Sequence, residues 1–174
     1  LLEVELDNVI SEILSLSTDN LNIEIVSDSL LSNYTFRTIP DPRPVIVTFD
    51  PSHNSTDAYL DTYIYLTFDK PVFVNNIGSI IIKELDSNLV VSIILLSKSD
   101  DLEQVVGSGM STIVIVPDDN FTANNNYTLS IENGCFYDGS NNLFAGLAES
   151  NYTFTTGNSL NPNEVDLSQY EAPS

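Results

Sequence analysis

The sequence has no tryptophan, one cysteine (Cys135), one histidine (His53), and only 5 basic residues against 25 acidic ones. A single cysteine excludes an intrachain disulfide and a zinc-finger framework, and a lone thiol most often serves as a small buried apolar group. The shortage of basic charge leaves a net of −20, which repels phosphate backbones and anionic lipid. Nucleic acid and membrane surfaces are therefore poor partners. The same acidity keeps a secreted chain soluble and favours divalent cations or a salty medium. There the Debye length falls from about 8 Å at physiological ionic strength to about 3 Å at 1 M. No apolar run reaches the roughly 18 residues that span a bilayer. "SIIIKELDSNLVVSIILL" is interrupted by Lys83, Glu84 and Asp86, and reads as two strands and a turn. Also missing are an initiator methionine and a signal peptide; the pattern is already under way at Leu1, as expected for a segment of something longer.

What is present is a period of two. A hydrophobic fraction of 42% supplies a core. In "YIYLTF" Ile64, Leu66 and Phe68 share one face, and Tyr63, Tyr65 and Thr67 the other. "YTLSIE" sets Tyr127, Leu129 and Ile131 against Thr128, Ser130 and Glu132, and "NYTFTT" sets Tyr152 and Phe154 against Asn151, Thr153 and Thr155. "ELDSNLV" predicts a hairpin turn at Asp86–Asn88, and "VGSGMS" and "YDGSNN" supply further turn residues. Strands are predicted to start near Val45, Tyr63, Ser79, Leu89, Thr112, Tyr127 and Asn151. "SDDLEQVV" fits one helical turn or a loop. This pattern predicts an all-β fold, an antiparallel immunoglobulin-like β-sandwich of about seven strands. Lack of a Cys…Trp…Cys set excludes an antibody-type domain.

One hexapeptide is nearly duplicated: "NYTFRT" at 33–38 and "NYTFTT" at 151–156, 151 − 33 = 118 positions apart. That spacing is about one small domain. Residues 1–38 then read as the C-terminal strands of a preceding similar domain, too few for a sandwich unless chain from elsewhere completes it. Residues 39–44, with prolines at 40, 42 and 44, form a stiff linker; 45–157 form the sandwich; 158–174 form a linker or tail.

"DPSHNSTDAYLDTYIYLTFDKPV" (Asp50–Val72) and "STIVIVPDDNFTANNNYTLSIENGCFYDGSNNLFAG…NYTFTT" (Ser111–Thr156) resemble, in order, the two halves of the bacterial Ig-like domains of S-layer proteins and large surface adhesins. The resemblance covers about 44–157; the richness in Asp and Asn, and Cys135 after Gly134, depart from the pattern. It implies a spacer or structural repeat of an extracellular or cell-surface protein, without a common catalytic site.

Candidate chemistry is sparse. Ser52 or Ser55 with His53 and Asp50 or Asp57 are neighbours in one loop, and such neighbours rarely meet triad geometry. Cys135 with His53 lacks the electropositive setting a reactive thiol needs. Asp41, Asp50, Asp57 and Asp61 crowd the linker and first loop and are calcium candidates, with Asp118, Asp119 and Asn120 in another loop; solvated carboxylates explain them equally. Five sequons occur, at Asn33, Asn54, Asn120, Asn126 and Asn151, with Asn33 and Asn151 expected on outward strand faces. Tyr63 and Tyr65 are the nearest thing to an aromatic platform for sugar. No enzyme activity is expected. The expected role is a structural Ig-like repeat (S-layer, sheath, filament or adhesin stalk), with neighbouring Ig-like copies as partners in an oligomer or filament. The alternative is a ligand- or carbohydrate-binding accessory module.

Overall fold

The computed structural model describes residues 22–26, 35–39, 42–163 and 167–170. Its contacts divide the chain into two units, Leu1–Pro42 and Arg43–Ser174, so the boundary lies inside the proline-rich stretch. In the first unit β1 (Asn22–Val26) pairs antiparallel with β2 (Thr35–Ile39), with Phe36 opposite Ile25 and Arg37 opposite Glu24. The strand expected at "LLEVEL" lies outside the described residues, as do Asn33 and Asp41.

The second unit is built from two antiparallel sheets. One contains β3 (Ile46–Asp50), β4 (Ile64–Val74), β7 (Val105–Val106), β8 (Met110–Ile115) and β10 (Phe136–Asp138). Its order is β10-β4-β8-β7, with β3 also on β4. The other runs β11 (Thr153–Thr155), β9 (Asn126–Ile131), β5 (Ser79–Glu84), β6 (Val90–Leu95). Strand β4 is the shared member of the first sheet: β3 pairs with Tyr65–Phe68, β10 with Val72–Val74, and β8 with both halves. Its register with β8 shifts between Thr67 and Val72, where Pro71 has no N–H to donate.

Period two explains the core. Ile64, Leu66 and Phe68 of β4 meet Ile80 and Ile82 of β5, Ile94 of β6 and Leu129 and Ile131 of β9 in one buried cluster. Each such side chain contributes roughly 1.5–3 kcal/mol against exposure. The Phe68 ring sits edge-on to Phe136 and Phe144, with centroids 5.6 and 5.3 Å away. Gly107 turns β7 into β8 at φ +101°, with the Thr112 carbonyl where a Cβ would stand.

Three details differ from the sequence expectation. Strands β7 and β10, of 2 and 3 residues, were not anticipated. The "SDDLEQVV" segment divides into one helical turn, α1 (Ser99–Leu102), and β7. Thr128, expected on the water face, is buried: a 3-10 turn at Glu149–Asn151 covers it, and its Oγ1 donates to the Tyr152 carbonyl at 2.9 Å.

Candidate functional site

The connection from β3 to β4 is not a free loop. Its first residue, Pro51, follows a cis peptide bond and is buried, and its carbonyl accepts the Tyr152 hydroxyl at 2.8 Å. The Tyr152 ring stacks on Phe49 at 4.4 Å. The chain then runs alongside β11. Asn54 N–H donates to the Thr153 carbonyl (2.7 Å), Thr155 N–H to Ser55 (2.7 Å), Ala58 N–H to Thr155 (3.1 Å) and Gly157 N–H to Ala58 (2.9 Å). Ala58 and Thr156 form a parallel bridge. A Cβ at position 157 would fall on the Asp57 carboxylate, which lies against Gly157.

Past Ala58 the connection returns to β4 and walls a cleft of about 470 Å³. Asp50 of β3, Tyr59, Thr62 and Tyr63 of the connection, Tyr65 and Thr67 of β4, Thr112 of β8, and Asn161 and Tyr170 from beyond β11 line it. Period two brings Tyr65 and Thr67 here, since their neighbours Ile64, Leu66 and Phe68 point into the core. The far wall is tied back: Leu60 N–H donates to the Ser159 carbonyl at 3.0 Å, and Asn161 N–H to Asp61 Oδ1 at 2.7 Å. Tyr65 and Tyr170 meet with ring centroids 5.8 Å apart and planes at 53°. The Thr67 and Thr112 hydroxyls bond each other at 3.3 Å, and Thr62 Oγ1 donates to the Tyr63 carbonyl at 3.0 Å. Burial, then the neighbouring Tyr170, Asp50 and Tyr63, raises the Tyr65 hydroxyl above its ordinary pKa. Among the described residues no lysine or arginine lines the cleft, and Asp50 is the one charged side chain in its lining.

The other candidates fall as follows. Asp50 lines the cleft, Asp57 lies against Gly157, and Asp61 holds Asn161. Among the described residues no group of three or more His, Cys, Asp or Glu side chains could hold a metal ion, because these carboxylates serve separate local contacts. Asp118 accepts hydrogen bonds from Ser92 Oγ (3.0 Å) and Gln104 Nε2 (2.8 Å). His53 Nδ1 accepts the Thr153 N–H at 3.1 Å, and Ser55 Oγ is enclosed without a hydrogen-bond partner among the described residues. Cys135 is buried against the Ser79 carbonyl, 3.5 Å away. Burial, reinforced by Glu132, pushes its thiol up to about 11.

Sequon residues Asn54 and Asn120 are exposed. Asn126 is half-buried and engaged with Thr155 Oγ1 and Asp86. Asn151 is exposed, but in the 3-10 turn that precedes β11 rather than on a strand face. Tyr59, Thr62, Thr67, Thr112, Asn161 and Tyr170 were not legible as site residues in the sequence, and only the run of alternating tyrosines hinted at the cleft.

This architecture of two antiparallel sheets, with β11 lying beside the first connection, defines an immunoglobulin-like β-sandwich. A family model, the bacterial Ig-like domain, matches residues 40–156, and the chain belongs to that family. Among solved structures, CopC from Methylosinus trichosporium OB3b is similar at 13% identity, over 66% of this chain and 93% of that one, with a TM-score of 0.40. No curated protein matches the chain in sequence. No helix among the described residues is long and apolar enough to cross a membrane.

Proposed function

We propose that this chain is a structural Ig-like repeat of a long extracellular or cell-surface protein, acting as spacer and assembly unit in an S-layer, sheath, filament or adhesin stalk. The observation that carries this is the duplicated hexapeptide. Thr35–Ile39 and Thr153–Thr155 are both strands in antiparallel pairs, one on each side of the proline-rich boundary. Neighbouring Ig-like copies are its natural partners. Electron microscopy of the native full-length parent tests the reading. Lattices, filaments or beaded rods with an axial repeat of one domain length support it, and a particle with no repeating substructure overturns it. The tyrosine-lined cleft favours a second reading, a ligand-binding accessory module.

A further inference from the structure

We propose that the cleft between Asp50, the tyrosine face of β4 and Tyr170 binds a small organic cation, an ammonium group carried by a free molecule or by a lysine side chain of another protein. This goes beyond the spacer reading and does not rest on it.

Three features of the lining select the ligand. The first is charge. Among the described residues Asp50 is the only charged side chain in the wall, and the whole chain carries a net of −20, so the local field concentrates cations and turns away acids. The second is ring geometry. Four tyrosines, Tyr59, Tyr63, Tyr65 and Tyr170, line one cleft. The 53° tilt between Tyr65 and Tyr170 makes a corner, not a flat platform. An aromatic face attracts a cation lying within about 6 Å of its centroid, and a corner of two faces beside a carboxylate encloses one. The third is the state of the hydroxyls. A sugar would call on the three threonines, but Thr62 donates to the Tyr63 carbonyl and one of Thr67 and Thr112 donates to the other, which leaves a single threonine O–H to donate.

A bare metal ion fits less well. Calcium takes about 6–8 oxygen ligands, and among the described residues the cleft offers a single carboxylate. Its volume of about 470 Å³ lies within the range of small-ligand pockets. It admits the cationic head with part of what carries it.

Titration of the full chain tests this directly. The sequence has no tryptophan, so tyrosine emission and tyrosine ring chemical shifts report the cleft without a competing indole. The probes are choline, its uncharged carbon isostere dimethylbutanol, a lysine blocked at both termini, and methyl glucoside. Saturation by choline or by blocked lysine is expected, with the isostere weaker by roughly tenfold. Choline alone points to a free ammonium compound; blocked lysine points to a protein side chain. Asp50→Asn is expected to weaken the cation about tenfold and to leave the isostere unchanged. Tyr170→Ala, which removes a ring from outside the sheets, is the second variant should Asp50→Asn fail to fold. Tyr137→Phe, away from the cleft, serves as the control and keeps wild-type affinity. Equal binding of choline and its isostere, saturation by methyl glucoside alone, cation binding unchanged in both cleft variants, or no saturation at millimolar concentration overturns the proposal. None of these results touches the spacer reading, which microscopy of the parent decides.

Discussion

The two edges of the second sheet are protected by different means. At one edge, β11 is flanked by residues 54–58, which satisfy its backbone with four main-chain hydrogen bonds. At the other, β6 pairs only with β5 among the described residues, and Leu89, Val90 and Ile93 are 60%, 40% and 48% exposed. An open edge invites pairing with another chain unless charge or irregularity blocks it. Here acidic side chains occupy the surroundings: Asp101 accepts the Leu95 N–H at 2.9 Å, and Asp118 accepts Ser92 Oγ at 3.0 Å. Like-charged copies also repel. One edge is closed by backbone geometry, the other guarded by carboxylates. Substitutions at the first should therefore cost more than substitutions at the second.

The largest expected effect breaks the covered edge from within. Tyr152→Ala removes a fully buried ring, its stack on Phe49 and the hydroxyl bond to Pro51, and is expected to cost about 3–5 kcal/mol in urea unfolding. Next comes a site at neither edge, which sharpens the contrast by isolating a carboxylate built into the fold. Asp138 is 2% exposed. Burial alone would raise its pKa. Hydrogen bonds from the N–H groups of Asn142 and Ser140 and from the Asn142 side chain, with Lys70 nearby, outweigh burial and lower it. A depressed carboxyl contributes stability above its unfolded value of 3.8, and loses that contribution as pH falls through the lower folded value. Asp138→Asn is expected to cost about 1–3 kcal/mol at neutral pH and to flatten the acid limb of a melting-temperature profile.

Gly157→Ala, third, pushes a methyl group toward the Asp57 carboxylate, which can swing away; about 1 kcal/mol is expected by thermal melting. Smallest is Ile93→Lys on the open edge, expected to change stability by less than about 0.5 kcal/mol in the same assay. A cost at Ile93 matching that at Tyr152 would erase the distinction between the edges.

Much of this was legible in the sequence where local pattern suffices. Ile64, Leu66 and Phe68 lie inside and Tyr63 and Tyr65 outside, as alternation requires. The hairpin at Asp86–Asn88 is present, with Asn88 at φ 56°. Asn54, Asn124 and Asn141 also have positive φ, so part of the asparagine excess is turn chemistry, which composition alone does not reveal. Two and three residues, as in β7 and β10, are too short for alternation to register. Thr128 failed because its cover, the 149–151 turn, comes from a distant segment. The cleft was half legible for the same reason: Tyr63 and Tyr65 are visible as a pair, but Tyr170 joins them from 170 − 65 = 105 residues away.

The direction of the covered edge has a mechanical consequence. Residues 54–58 and 153–157 run the same way, joined by their four backbone bonds. Tension that reaches the start of the first segment and the end of the second drags the first back along the second instead of peeling it off. In that sliding geometry all four bonds are loaded together, whereas peeling would break them one after another. A unit tied in this way yields late and abruptly under an axial pull.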